Sequence, residues 1–219
     1  MSLQKTEAII LKTQKQGETS KILTLFTKSK GILKVIAKGS RGLKSRYFGT
    51  LEPLNHISLV YYFKETRDLQ LLSQADIIDS FIDLRENLEK YAIGMFCCEL
   101  VQRTQLEQAN PVLFRNLLKL LISLNSATER YMNFLFWFIL RFLDISGFKP
   151  ELNQCQVCGT TRKQGLLRFS VLRGGFACEK CQTSDPMSIS VNGETMDFLL
   201  NIQLGQIEQI ASFACPSVQ

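Results

Sequence analysis

A single histidine, His56, is the only imidazole this chain has to offer. That scarcity argues against chemistry built on histidine, whether as the base beside a nucleophile or as the ligand of a hydrolytic metal. Other catalytic signatures are missing as well. No Gly-x-x-x-x-Gly-Lys-Ser/Thr loop is present to cradle phosphates, and Gly39-Ser40-Arg41-Gly42 is too short to be one. Neither a Gly-x-Ser-x-Gly elbow nor a His-Glu-x-x-His pattern occurs. The acidic set Asp76, Asp79, Asp83 and Glu86 admits a metal-dependent nuclease, but its spacing also makes an ordinary solvated face beside a helix N-terminus. The expectation is a binding protein, not an enzyme.

Long hydrophobic runs are lacking too. The longest near-apolar stretch, Phe134 to Leu140, falls far short of the roughly 20 residues that cross a bilayer and reads as a buried helix. Met1-Ser2-Leu3-Gln4-Lys5 has no basic-then-apolar pattern of a secretion signal. A soluble, cytoplasmic protein without a membrane partner is expected.

Acid is almost absent from the first quarter. Residues 1–50 hold 11 Lys and Arg against only Glu7 and Glu18, a charge of +9, whereas residues 51–100 carry −5. The net charge of +6 is therefore concentrated at one end. Solubility alone is served by mixed signs, so this asymmetry points to a polyanionic partner. Lys34, Lys38, Arg41, Lys44 and Arg46 fall within thirteen residues, punctuated by Gly39, Gly42 and Gly49, with Lys12 and Lys21 on neighbouring strands. Lys and Arg neutralise phosphates, and glycine lets backbone amides approach them. Lys12, Lys21, Lys34, Lys38, Arg41, Lys44 and Arg46 are the candidate nucleic-acid-binding residues. Tyr47 and Phe48 have two readings, as stacking platforms for unpaired bases or as core.

The first eighty residues alternate as β-strands do. Glu7 to Lys12, Ser20 to Thr27, Ile32 to Ala37, Ile57 to Phe63 and Leu69 to Ile77 read as five strands. In the third, Leu33, Val35 and Ala37 share one face; in the fifth, Leu69, Leu71, Ala75 and Ile77 do. Five short strands with a longer third link fit an OB-fold, with another five-stranded meander as the alternative. From Ser80 the period becomes helical through Phe81, Leu84, Leu88, Tyr91, Met95 and Cys98, with Asp79 or Ser80 as cap. Pro111 opens a second helix and Ser126 or Thr128 a third, which Gly147 and Pro150 end. The expected class is α+β: an OB domain over 1–79, then a helical domain over 80–219 with a cysteine module at about 151–185.

Seven cysteines are present, four of them in pairs. Cys155-Gln156-Val157-Cys158 and Cys178-Glu179-Lys180-Cys181 are separated by 19 residues. Two such knuckles supply a closed tetrahedral sulfur site, the pattern of structural zinc, and leave no open position for catalysis. Cys97 and Cys98 lie in an apolar helical stretch and read as core.

Together these residues resemble the RecO family of bacterial DNA repair proteins. Glu7-Ala8-Ile9-Ile10-Leu11, Glu18, Leu23-Thr24-Leu25-Phe26-Thr27 and Gly31 are similar to its opening strands, and Ala37 to Arg46 to its basic motif. Gly147-Phe148-Lys149-Pro150, both Cys-x-x-Cys pairs and Gly174-Gly175-Phe176-Ala177-Cys178 match its metal module. The resemblance covers about residues 1–200. It implies an N-terminal OB-fold followed by a helical domain with an inserted zinc module. It also implies binding of single- and double-stranded DNA, annealing of complementary strands and assistance in loading recombinase at gaps. The implied partners are RecR, the acidic C-terminal tail of single-stranded DNA-binding protein and, indirectly, RecA; the implied location is at the nucleoid. Family members continue into further helices with a closing basic segment, which Phe213 to Gln219 does not supply. Two rival readings remain at this point, a zinc-containing protein–protein adaptor and a metal-dependent nuclease or hydrolase.

Overall fold

The computed structural model describes residues 2–42, 45–105, 108–161, 166–181 and 187–216. The chain divides into two compact units, residues 1–126 and 127–219.

In the first unit, five strands close into a barrel: β1 (Ser2–Gln16), β2 (Ser20–Thr27), β3 (Gly31–Ala37), β4 (His56–Phe63) and β5 (Leu69–Asp79). Their order is β1-β2-β3-β5-β4, with β4 returning to β1. Every pairing is antiparallel except β3 with β5. This is the OB topology expected, and closure removes the exposed strand edges. The interior is filled by Ile10, Leu23, Leu25, Leu33, Val35, Ile57, Leu59 and Tyr61, all buried. Burial of a side chain this size stabilises the fold by about 1.5–3 kcal/mol.

β1 is longer than the sequence pattern suggested, and Ala8, Ile9, Ile10 and Leu11 are all buried. Alternation fails there because both faces are covered. Ala8 and Ile10 point into the barrel. Ile9 stands across from Phe26 on one side and His56 on the other, and the Phe114 ring lies 5.8 Å from Phe26 and 6.1 Å from His56. In β5 the expected face is corrected. The register slips between Val60 and Tyr61, leaving Ser73 as an extra residue. Such a bulge reverses the alternation across it, so Leu72 and not Leu71 joins Ala75 in the core; Ile77, near the end of the strand, is exposed.

Three helices complete this unit: α1 (Ile82–Glu86), α2 (Leu88–Thr104) and α3 (Pro111–Ser126). The helical period expected from Ser80 to Cys98 is interrupted at Asn87, whose extended backbone ends α1 and whose Oδ1 accepts from the Lys90 amide at 3.1 Å to cap α2. Leu88 lands beyond that break and is exposed instead of buried. Neither Asp79 nor Ser80 caps α1; the N-cap is Phe81 in the left-handed region, without a side-chain cap bond, and Asp79 accepts instead from the Phe81 amide at 2.9 Å, in the turn before the helix. Cys97 and Cys98 are fully buried, and burial pushes both thiols up, Cys98 to about 12.

The second unit contains α4 (Tyr131–Ile145), a three-stranded sheet ordered β7-β6-β8 and α5 (Gly193–Leu204), the strands being β6 (Leu166–Ser170), β7 (Gly175–Ala177) and β8 (Ser188–Asn192). Neither Ser126 nor Thr128 caps α4; the N-cap is Arg130 in the left-handed region, without a side-chain cap bond. Leu152, Cys155, Leu167, Phe176 and Met196 form the core of the cysteine module. None of the described helices is long and apolar enough to cross a membrane.

Candidate nucleic-acid interface and metal centre

The candidate basic residues separate into free and tethered sets. Lys12 stands across from Thr24, which in turn stands across from Lys34. Residues directly opposite share a face, and two strand spacings set these lysines about 10 Å apart. Both are exposed on the outside of the barrel, as is Lys38 at the end of β3. None of the three side chains has an ion pair or hydrogen bond among the described residues. Thr24 lies between the lysines, with Ile22 and Ile36 a half-buried pair further along. The outer face of β2 and β3 is the surface with which OB barrels take oligonucleotides.

The other candidates are engaged inside the unit. Lys21 donates to Glu52 Oε1 at 2.9 Å. Arg41 donates through Nη1 to the Gly17 carbonyl at 2.6 Å, and its amide donates to the Thr19 carbonyl at 3.0 Å. Arg46 Nη2 donates to the Ser73 carbonyl at 2.6 Å and to the Tyr47 hydroxyl at the same distance. Lys44 lies outside the described residues. Tyr47 and Phe48 part ways: Tyr47 is buried in the barrel core, while Phe48 is 80% exposed. Sequence reading did not single out Lys30, which stands 3.4 Å above the Phe63 ring. Nothing local connects a residue at a β-turn with one 33 positions later, so no sequence signal pointed to that pair.

In the second unit, the two cysteine pairs converge. The four sulfurs of Cys155, Cys158, Cys178 and Cys181 all lie within 4.8 Å of one another. Each pair sits in a tight turn: the Gly159 amide donates to the Cys155 carbonyl at 2.9 Å, and the Cys181 amide to the Cys178 carbonyl at 2.8 Å. Gly159 has φ +70°, a backbone state that glycine adopts without a side-chain penalty. The amides of Val157 and Cys178 both donate to Cys155 Sγ at 3.4 Å.

These sulfurs fit a tetrahedral metal. Metal–sulfur bonds of about 2.3 Å place ligands roughly 3.8 Å apart, and Cys158 Sγ stands 3.7 Å from Cys178 Sγ. Desolvation raises the Cys155 thiol, but the amides of Cys178, Cys158 and Val157 outweigh it and bring the group down to about 6. Its neighbours Cys158 and Cys178 push Cys181 up to about 12. Four thiolates so close repel one another, and a central dication lets all four ionise. The cluster could hold a metal ion through all four cysteines.

A closed OB barrel with a basic outer face, joined to a helical segment that carries a four-sulfur cluster, defines a class of OB-fold binding proteins with an inserted cysteine module. Comparison with known families specifies which. Residues 1–81 match the model for the recombination protein O N-terminal region, and residues 85–218 match that for its C-terminal region. The DNA repair protein RecO of Caldanaerobacter subterraneus is 32% identical over 222 residues, covering all of this chain and 87% of that protein. RecO of Bacillus pumilus is 34% identical over 86% of this chain and 72% of its own length; RecO of Bacillus subtilis is 34% identical over 90% and 76%. This chain belongs to the RecO family.

Proposed function

We propose that this chain is a cytoplasmic, nucleoid-associated recombinational repair protein that binds single- and double-stranded DNA, anneals complementary strands and assists recombinase loading at gaps. The observation that carries the reading is the free cationic row Lys12 and Lys34, continued by Lys38, on the outer face of an OB barrel. Phosphates settling on this row release counterions, which drives binding without regard to sequence. Lowering the charge of two strands on one sequence-blind surface reduces their repulsion and lets them search for register. No bond is made or broken, so the protein acts as a mediator and not as an enzyme.

Residues 1–79 serve as the nucleic-acid-binding domain, and residues 80–219 as the helical domain carrying the module at about 151–185. Lys12, Lys34 and Lys38 contact phosphate directly, Lys44 adds to the charge of the same basic sequence segment, and Lys21, Arg41 and Arg46 keep the surface in shape through Glu52, Gly17 and Ser73. Cys155, Cys158, Cys178 and Cys181 hold a zinc ion, which crosslinks the module and does no chemistry. RecR, the tail of single-stranded DNA-binding protein and, through them, RecA are the protein partners that family membership suggests.

The test is annealing of complementary oligonucleotides without nucleotide cofactor. Acceleration over the spontaneous rate, lost on combined reversal of Lys12, Lys34 and Lys38 to Glu, is the expected result. A rate equal to the spontaneous one would sink the proposal. A variant that loses no DNA affinity would favour an adaptor whose charge is incidental.

A further inference from the structure

Helix α2 carries apolar side chains on two faces. Ile93, Cys97, Cys98 and Val101 are buried. Met95 and Phe96 lie elsewhere on the helix, Met95 half-buried and the Phe96 ring 49% exposed. Glu99 lies three residues from Phe96 and Gln102 and four from Met95 and Arg103, which sets all five along one helical face. Across from that face stands Lys12 of β1, and between them runs a groove of about 600 Å³, within the roughly 300–1,000 Å³ of small-ligand clefts. The β1 bulge lies between Ile10 and Lys12, and a bulge re-aims the side chains beside it.

The geometry points to a subsite in this groove for one nucleotide of a DNA single strand, its base stacked on Phe96 and its phosphate on Lys12. The inference rests on the outer barrel face being the DNA interface and extends that interface onto α2. Three observations favour this occupant. Lys12 belongs both to the groove and to the row with Lys34, so a strand leaving the row enters the groove without a break. An exposed ring on a rigid helix is a stacking platform that any base can use. Glu99 stands in the wall paired with Arg103 at 2.7 Å, which offsets its repulsion of a phosphate and leaves a carboxylate oxygen to accept from a base edge.

The test uses the full chain and two strands of equal length and charge, one of thymidylates and one of abasic residues. Wild type should bind the thymidylate strand at least about fivefold more tightly, the lower end for one stacked base. Phe96→Ala should erase that preference and leave abasic-strand affinity unchanged. Phe96→Trp should restore it, with its fluorescence quenched as thymidylate binds, and this readout stands even if the alanine variant does not fold. A preference that survives in Phe96→Ala, or an unquenched Phe96→Trp, overturns the subsite. If Lys34→Glu and Lys38→Glu then still weaken both strands, the interface stands and only the subsite falls. If those reversals change neither strand's binding, the interface reading falls and takes the subsite with it. Competition by an acidic peptide that depends on Phe96, without any base preference, would assign the groove to a protein instead.

Discussion

Arg41 donates to the carbonyl of Gly17 at 2.6 Å, tying the basic link after β3 to the turn between β1 and β2. Gly17 has φ +58°, so the turn presents its backbone in a conformation that the guanidinium can hold. The same arginine gives its own amide to Thr19. Arg41 is therefore a clamp on the turn, whereas its neighbour Lys38 is free.

This division predicts different phenotypes for two adjacent cations. Arg41→Ala should lower stability in urea by about 1 kcal/mol, the usual net worth of one hydrogen bond. Lys38→Ala should leave the urea midpoint in place and reduce the salt slope of single-strand binding by about 0.7 per lost phosphate contact. Identical melting and identical salt slopes in the two variants would contradict the division.

The cysteine module should depend on its metal. Purified protein should contain one zinc per chain by elemental analysis, and Cys155→Ser should lose it. A strong chelator should abolish the protection of backbone amides over residues 151–192 in hydrogen exchange, because a closed cysteine site contributes folding energy outright. Protection in β1 to β5 should persist. Unchanged exchange in the module after metal removal would rule out a structural role.

Gly175 should tolerate no side chain. A Cβ there would come within 2.9 Å of the Glu151 carbonyl oxygen and 2.7 Å of Gln156 Cγ. The backbone contact cannot swing aside, so Gly175→Ala should destabilise the module by about 1–3 kcal/mol, as overpacking does. Thermal melts of the zinc-loaded protein check this, and an unshifted midpoint would show that the strand end relaxes.

Acid should weaken the first unit through His56. Burial pulls its pKa below the ordinary 6.5, against the opposing pull of Glu7. Its buried Nε2 lies 3.4 Å from Glu7 Oε2 without the geometry of a hydrogen bond. The folded state thus binds fewer protons than the unfolded chain, so stability is fully present above pH 6.5 and is lost as pH falls through the lowered value. Glu7, held below 4.5 chiefly by its bond from Lys28, acts with the same sign at lower pH. Urea midpoints measured from pH 7.5 to 5.5 should fall for wild type and fall less for His56→Gln. Parallel pH profiles would refute the assignment.

Much of this protein is legible in its sequence. Alternation in Ile32 to Ala37 marked which residues face the barrel, and the Cys-x-x-Cys spacing named all four members of the sulfur cluster. These are local signals, written within a few residues of where they act. The paired turns around Cys155 and Cys178 need only their own short segments to form.

The exceptions have a common physical cause. The bulges in β1 and β5 shift register by one residue, and a one-residue slip turns a side chain to the opposite face. In β5 that moved Leu72 into the core in place of Leu71, and no periodicity within the strand announces it. The cap at Asn87 likewise cut one apparent helix in two and left Leu88 in solvent. Composition by itself determined that the first fifty residues carry a strong positive charge. Only tertiary structure decided which of those charges are free. Arg41, Arg46 and Lys21 find their partners 24, 27 and 31 residues away, and a hydrogen bond across such a distance exists only once the barrel has closed.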